Sequence, residues 1–386
     1  MLYSKVKLKY PLGYKYLSLI RIFRTRRWTT LLWTLLAMAS LRLIRSWNQT
    51  GQKFAGDPDI VKIFLLPNPP LLWILVSITY IVVSFHVMRN LEGLPYVVIT
   101  GITSVLVSAA FAFKLAFTAE DAPELVVGIA RTLHDHFQGH SLLMRARIVF
   151  AVVALLVAVG IYNAVRGGPR ASQTSGTSPS PIPLHQPLTS SSAHLIHHLY
   201  TILAITQSRV TNIPLLLLSH YLFQHLSSLP LSIPEITTTS ILLQFASFFS
   251  FGGSNAISSV DLSSAYNGIS GFNVFAVGFL TLVSNWAGPI YWTSATTLLL
   301  LEQHRWKKGG ETKGVWRAHL TGLTIFTTLS VAFVMAACTA LRTHLFIWTV
   351  FSPKYLYCMA WSLGQHLLIN LGFGSALFWI GTRDQS

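Results

Sequence analysis

Charge is what this chain has least of. Asp, Glu, Lys and Arg make up 10% of its 386 residues, against roughly 25% in an ordinary soluble domain. That scarcity excludes a soluble globular fold of the usual kind. Cysteine is nearly absent as well: Cys338 and Cys358 are the only two, too few for a disulfide framework. Both fall in hydrophobic segments, where they pack as small apolar residues. The N-terminal stretch has no compact apolar core followed by a small-residue cleavage site, as a signal peptide would. No internal repeat is visible, so nothing in the pattern points to an inverted-repeat transporter.

What is present is apolar surface. Hydrophobic residues make up 52% of the chain and the mean hydropathy is +0.53. These residues cluster into runs near 28–44, 71–88, 95–117, 147–166, 211–230, 236–251, 272–301, 319–341 and 355–381. A helix of about 20 residues crosses a bilayer, and backbone amides in lipid must be satisfied within the segment. The expected fold is therefore all-α, a polytopic transmembrane helical bundle of about nine or ten spans. The run 194–206 is short for a span; counting it gives ten, which puts both termini on one side. The expected organisation is a basic N-terminal segment (1–27), a first helix group (28–166), a linker (167–193) and a second helix group (194–386). Ser, Thr, Pro and Gly dominate the linker, which has too little apolar content to fold.

The net charge of +16 invites a nucleic-acid reading, but the basic residues sit mainly between hydrophobic runs. Lys and Arg there set orientation and meet anionic headgroups. The N-terminal segment carries Lys5, Lys7, Lys15, Arg21, Arg24, Arg26 and Arg27, and the loop 302–318 carries Arg305, Lys307, Lys308, Lys313 and Arg317. The positive-inside rule puts both in the cytosol and the polar stretch around Asp261 on the lumenal face. Asn48-Gln49-Thr50 falls on that lumenal face too. It matches the glycosylation sequon but lies close to a span end.

Three stretches stand out from the apolar background. Phe251–Ile269 (FGGSNAISSVDLSSAYNGI) is small and polar between strongly hydrophobic segments. Arg45–Asp59 (RSWNQTGQKFAGDPD) and Arg342–Lys354 (RTHLFIWTVFSPK) flank other runs. Together, and in this order, they resemble the C-terminal membrane region of the GPI ethanolamine phosphate transferase 2 family. The resemblance covers most of the chain. It implies residence in the endoplasmic reticulum membrane. The family's reaction moves ethanolamine phosphate from phosphatidylethanolamine to the second mannose of the GPI precursor. It also implies a lumenal catalytic domain similar to alkaline phosphatases, with a Thr nucleophile beside two divalent metals, zinc being the expected one. Two metals suit phosphoryl transfer because they stabilise attacking and leaving oxygens alike. No stretch here matches that nucleophile motif, so no catalytic residue is assigned and no cofactor is expected in this chain. The implied role is to position membrane lipids and the GPI precursor and to hold a small membrane partner of the PIG-F type, without nucleic acid. A non-catalytic scaffold subunit is the alternative, and a small-solute transporter a more distant one.

Candidate contacts follow from chemistry and position. In the loop 251–271, Asn255, Asp261 and Asn267 combine with Gly252, Gly253 and Gly268. That pattern suits either a groove for a glycolipid or a re-entrant turn whose polar groups satisfy one another. Asp261 is singled out because a carboxylate near a membrane is costly and often functional. Arg342, His344 and Lys354 flank Phe346, Trp348 and Phe351. Cation plus aromatic at a span end reads as an interface anchor or as a lipid-phosphate contact. Arg45, Asn48 and Lys53, with Trp47, carry the same pair of readings. Elsewhere, Lys114 is expected to snorkel to the surface. His134, His136 and His140 are expected on a solvated amphipathic segment, and His194, His197 and His198 at the membrane interface; none of the six is taken as a metal ligand. Gly288-Pro289 predicts either a packed kink or a break that lines a polar cavity.

Overall fold

A backbone in an apolar phase bonds within its own segment, and every regular element among the described residues is helical. The computed structural model describes residues 31–49, 58–91, 94–137, 139, 141–166, 191–254, 259–306, 312–344, 349 and 352–383. The chain divides into a unit of residues 1–43 and a unit of residues 44–386. Residues 31–45 are helical (α1), and everything below concerns the second unit. The N-terminal basic segment and nearly all of the expected linker, as well as Asn255, Lys53, His140, Phe346, Trp348 and Phe351, lie outside the described residues.

The helices are α2 (Pro69–Asn90), α3 (Tyr96–Asp121), α4 (Ile129–His136), α5 (Leu142–Arg166), α6 (Ser191–Gln207), α7 (Ile213–Ser227) and α8 (Ile233–Ser250). They continue with α9 (Val274–Asn285), α10 (Ala287–Trp306), α11 (Thr312–Ala340), α12 (Ser352–Ala360) and α13 (Gly374–Arg383), the last two joined by a π-helical stretch, Trp361–Phe373. Among the described residues, five stretches are long and apolar enough to cross a membrane: α2, α3, α5, Gly314–Ala340 within α11, and the continuous Ser352–Arg383. The bent pair α9–α10 makes a sixth if it counts as one span. This is a multi-pass membrane protein. The apolar runs give a higher count because the run 28–44 lies partly outside the described residues, α6 and α7 are short, and α8 carries Glu235, Gln244 and many Ser and Thr residues.

Those less apolar helices do not need to face lipid. From Ser192 to Gln207 nearly every residue of α6 is buried, as is α10 from Ala287 to Leu301. These two helices form the centre of the bundle; α2, α5 and α13 pack on α6, and α8 and α13 pack on α10. A helix enclosed by protein can carry polar groups that neighbouring helices satisfy. His197, expected at the interface, is instead wholly buried, with Nδ1 2.7 Å from Ser294 Oγ on α10. His194 and His198 are buried with it. The expectation failed because it took the polarity of α6 for contact with water, whereas this polarity faces other helices. Gln244 (α8) donates to Asn370 Oδ1 at 3.1 Å, to Thr293 Oγ1 at 3.2 Å and to Ser240 Oγ at 2.9 Å. Gln365 of the π-helical stretch donates to Gln244 Oε1 at 3.1 Å. All five side chains are buried, so this amide cluster ties α8, α10 and the last span at membrane depth.

Local signals fix the ends. Ser232 caps α8: Glu235 accepts the Ser232 N–H at 2.7 Å in a reciprocal capping box, with Pro234 in the first turn. Gly288 is required where α10 crosses α8, because a Cβ there would lie 2.6 Å from Ser247 Cβ. The contacts sort the helix ends into two groups. Gln303 donates to Leu229 O and His194 meets Glu302 at one end. Arg147 reaches Gly268 O and Arg209 reaches Asp261 at the other.

Candidate functional site at the polar end of the bundle

The segment after α8 folds back across the end of the bundle. It can do so because Gly252 (φ 98°) and Gly268 (φ 75°) adopt left-handed backbone that other residues reach only with strain. Asp261 is its anchor. The Asp261 N–H donates to Asn285 Oδ1 at 2.7 Å, and Asn285 Nδ2 returns a bond to Asp261 O at 2.9 Å. Asn285 is the last residue of α9, so a strand-like pair of bonds pins the segment to a helix end. The Asp261 carboxylate accepts from Arg209 Nε at 2.8 Å and from the Ser263 N–H at 3.0 Å. Burial raises the pKa of Asp261, but the hydrogen bonds from Ser263 and the nearby Arg209 outweigh it. The carboxyl is held below its ordinary value.

Further contacts complete the docking. Asn267 is buried and donates to Gln207 Oε1 at 3.3 Å. Arg147 Nε donates to Gly268 O at 2.9 Å, and its Nη2 to Ser270 Oγ at 3.1 Å. Asn48, in left-handed backbone (φ 47°), donates to Asn212 Oδ1 at 2.7 Å and to Ser250 O at 2.8 Å. Asn212 in turn donates to Phe251 O at 3.0 Å. Trp47 Nε1 reaches Thr211 O at 3.1 Å. Two distant sequence stretches, around Asn48 and around Asp261, thus meet at one end of the bundle.

Lys114 lies at the same end and does not snorkel. It is wholly buried, and its Nζ donates to Thr206 O at 2.9 Å and Ser208 O at 2.6 Å. These carbonyls close the C-terminus of α6, where a cation meets the negative end of the helix dipole. The expectation failed because it placed Lys114 near the end of an apolar run and looked only along α3, not across to α6. Arg45, Arg342, His344 and Lys354 are exposed, the last three at the junction of α11 and α12. His134 and His136 lie on the short surface helix α4. Among the described residues, no three His, Cys, Asp or Glu side chains converge as a metal-ligand set. These described residues do not fit a two-metal group.

The break expected at Gly288-Pro289 falls at Trp286, between α9 and α10, which meet at 75°. Pro289 sits in the first turn of α10, where its missing N–H costs nothing. The break lines a cavity of about 240 Å³ between Phe248, Val260, Asn285, Trp286, Leu356 and Tyr357. Trp286 Nε1 and Tyr357 Oη are shielded from solvent and have no hydrogen-bond partner. Sequence reasoning missed Arg209, Asn285, Trp286 and Tyr357. The only hint was the polar pair Asn285-Trp286 inside an otherwise apolar run.

A family profile described as the GPI ethanolamine phosphate transferase membrane region matches residues 12–383. The chain belongs to that family. It is 39% identical over 333 residues to GPI ethanolamine phosphate transferase 2 of Aspergillus oryzae, an alignment covering 86% of this chain and 32% of that protein. To the protein of the same name from Aspergillus fumigatus it is 37% identical over 352 residues, covering 89% of this chain and 37% of the relative. For that of Saccharomyces cerevisiae the identity is 28% over 353 residues, with 86% and 39% covered. The chain thus spans about a third to two-fifths of the relatives it matches. No solved structure matches it.

Proposed function

We propose that this chain serves as the membrane-embedded part of a GPI ethanolamine phosphate transferase in the endoplasmic reticulum. The reaction is transfer of ethanolamine phosphate from phosphatidylethanolamine to the second mannose of the GPI precursor. In this reading the chain positions lipid substrates and holds a small membrane subunit of the PIG-F type. It supplies neither the nucleophile nor the metals. The observation that carries the reading is the docked stretch 259–271, held through Asp261, Asn267 and Asn285 inside a profile match that covers residues 12–383. The polar end then faces the lumen, and α11, the least enclosed of the five spans, has open surface for a membrane partner.

A chimera tests this. The membrane region of a fungal GPI ethanolamine phosphate transferase 2 is replaced by this chain and expressed in cells lacking that enzyme. Mass spectrometry of GPI precursors should show ethanolamine phosphate restored on the second mannose. A chimera that reaches the membrane at normal abundance and restores none would overturn the reading.

A further inference from the structure

Histidines from three helices meet where α2 ends and α6 begins. His86 stands near the end of α2, His194, His197 and His198 near the start of α6, and His220 on α7. The rings of His86 and His198 stack with centroids 4.8 Å apart, and His220 meets them edge-on at 4.6 and 5.8 Å. His86 Nε2 and His220 Nε2 are hydrogen-bonded at 3.0 Å. One nitrogen donates and the other accepts, so this bond between α2 and α7 exists only while one Nε2 is unprotonated. Gln224, one turn beyond His220, sets its amide 2.8 Å from the same His220 Nε2. His198 and His220 are 3% and 6% exposed, and His86 is half-buried.

The charged and titratable groups around these rings offer no compensation. Arg89 on α2 and His194 and His197 on α6 act on them, all cationic when charged. Glu302 on α10 is engaged by His194 at 3.3 Å, and Tyr291 on α10 packs against His197. On α7, Gln224 is neutral and His225 lies in the last turn. The helices α3, α5 and α13 also pack on α2 or α6 and set no charge against the three rings. Among the described residues, no carboxylate pairs with His86, His198 or His220. Burial disfavours a charged ring, and like charges this close repel.

We propose that the His86–His198–His220 junction is a pH-sensitive clasp, closed while its rings are neutral and opened as acid protonates imidazoles that only the open form exposes. The sign follows from linkage. An exposed imidazole takes its proton near about pH 6.5. Above that value the clasp is indifferent to pH. Below it, each ring that is neutral when closed and charged when open raises the open population about tenfold per pH unit. With His198 and His220 both released, the rise approaches about 100-fold per unit. None of this rests on the proposed function.

Amide hydrogen exchange of the full chain in lipid nanodiscs tests the clasp, from about pH 7.5 down to about pH 5. Each rate is divided by the intrinsic rate of the unstructured peptide at the same pH. Peptides covering 80–90 and 213–227 should lose protection at least about tenfold per unit below about pH 6.5, while 259–264 keeps its own. His198→Phe with His220→Gln preserves the stack on His86 and a polar partner for it, and should make protection at 80–90 flat over the same interval. Wild-type protection that does not change with pH overturns the clasp. Equal loss at 259–264 does so too, by showing general acid unfolding. An undiminished slope in the double variant would place the titrating group elsewhere. If that variant does not fold, the distribution of slopes in wild type decides alone.

Discussion

Removing the Asn285 side chain should release the docked segment without unfolding the bundle. In Asn285→Ala two bonds to Asp261 disappear together, the one accepted by Oδ1 at 2.7 Å and the one donated by Nδ2 at 2.9 Å. Each is worth about 1 kcal/mol net, so docking weakens by about 2 kcal/mol. At 1.4 kcal/mol per factor of ten, that is about a 30-fold rise in the open population. Amide hydrogen exchange in lipid nanodiscs reads this directly, because local opening sets the exchange rate of a protected amide. The peptide covering 259–264 should exchange about 30-fold faster, while peptides from α6 and α10 stay unchanged. Asn285→Asp keeps an acceptor for the Asp261 N–H but sets a carboxylate oxygen against the Asp261 and Thr281 carbonyls that had accepted from Nδ2, so its effect should be at least as large as that of Asn285→Ala. Unchanged protection at 259–264 would refute the latch. Equal acceleration throughout α8 and α10 would refute it too, by showing that Asn285 supports the bundle and not the segment.

Other consequences can be checked separately. Gly288→Ala places a Cβ 2.6 Å from Ser247 Cβ and should cost about 1–3 kcal/mol through overpacking, read as a lower melting temperature in detergent; adding Ser247→Gly should recover part of it. Gln244→Leu leaves Gln365 Nε2 without its Gln244 acceptor and removes the Gln244 bonds to Asn370 and Thr293, so stability should fall by about 1–3 kcal/mol. A drop under 0.3 kcal/mol would mean the cluster is slack, since even the mean interhelical bond in a membrane protein is worth about 0.6 kcal/mol. Because its folded pKa is depressed, Asp261 stabilises docking fully above its unfolded value of about 3.9, and the contribution is lost as pH falls through the lower folded value. Its carboxyl carbon resonance, assigned through Asp261→Asn, should titrate below that of a free 259–271 peptide; titration at or above the peptide's value would contradict the assignment.

The helical, membrane-crossing character of the chain was legible because scarce charge and long apolar runs leave few alternatives. The polar stretch 251–271 was legible for the opposite reason, as a break in that background, and Asp261 and Asn267 proved to be held by named partners. The two residues illustrate the limit as well. Nothing local in the sequence indicates that Asp261 is pinned by Asn285 from a helix that begins after the segment ends. Lys114 and His197 misled for one physical cause: a polar residue in an apolar helix looks lipid-exposed or interfacial until a neighbouring helix supplies its partner. Thr206 and Ser294 sit on helices distant in sequence, so the partners were invisible to a reading along the chain. Trp286 and Tyr357 were passed over in the sequence, since the cavity they line is formed by residues far apart along the chain.

The claim that the polar end positions lipid for transfer is tested most directly by precursor conversion in the chimera carrying Asn285→Ala. Mass spectrometry should give the ratio of GPI precursor with ethanolamine phosphate on the second mannose to precursor without it, at matched protein abundance. The account predicts a severalfold lower ratio for Asn285→Ala and an unchanged ratio for Gln303→Ala at the opposite end of the bundle. Equal ratios for Asn285→Ala and wild type, with the segment shown to be released by hydrogen exchange, would contradict it.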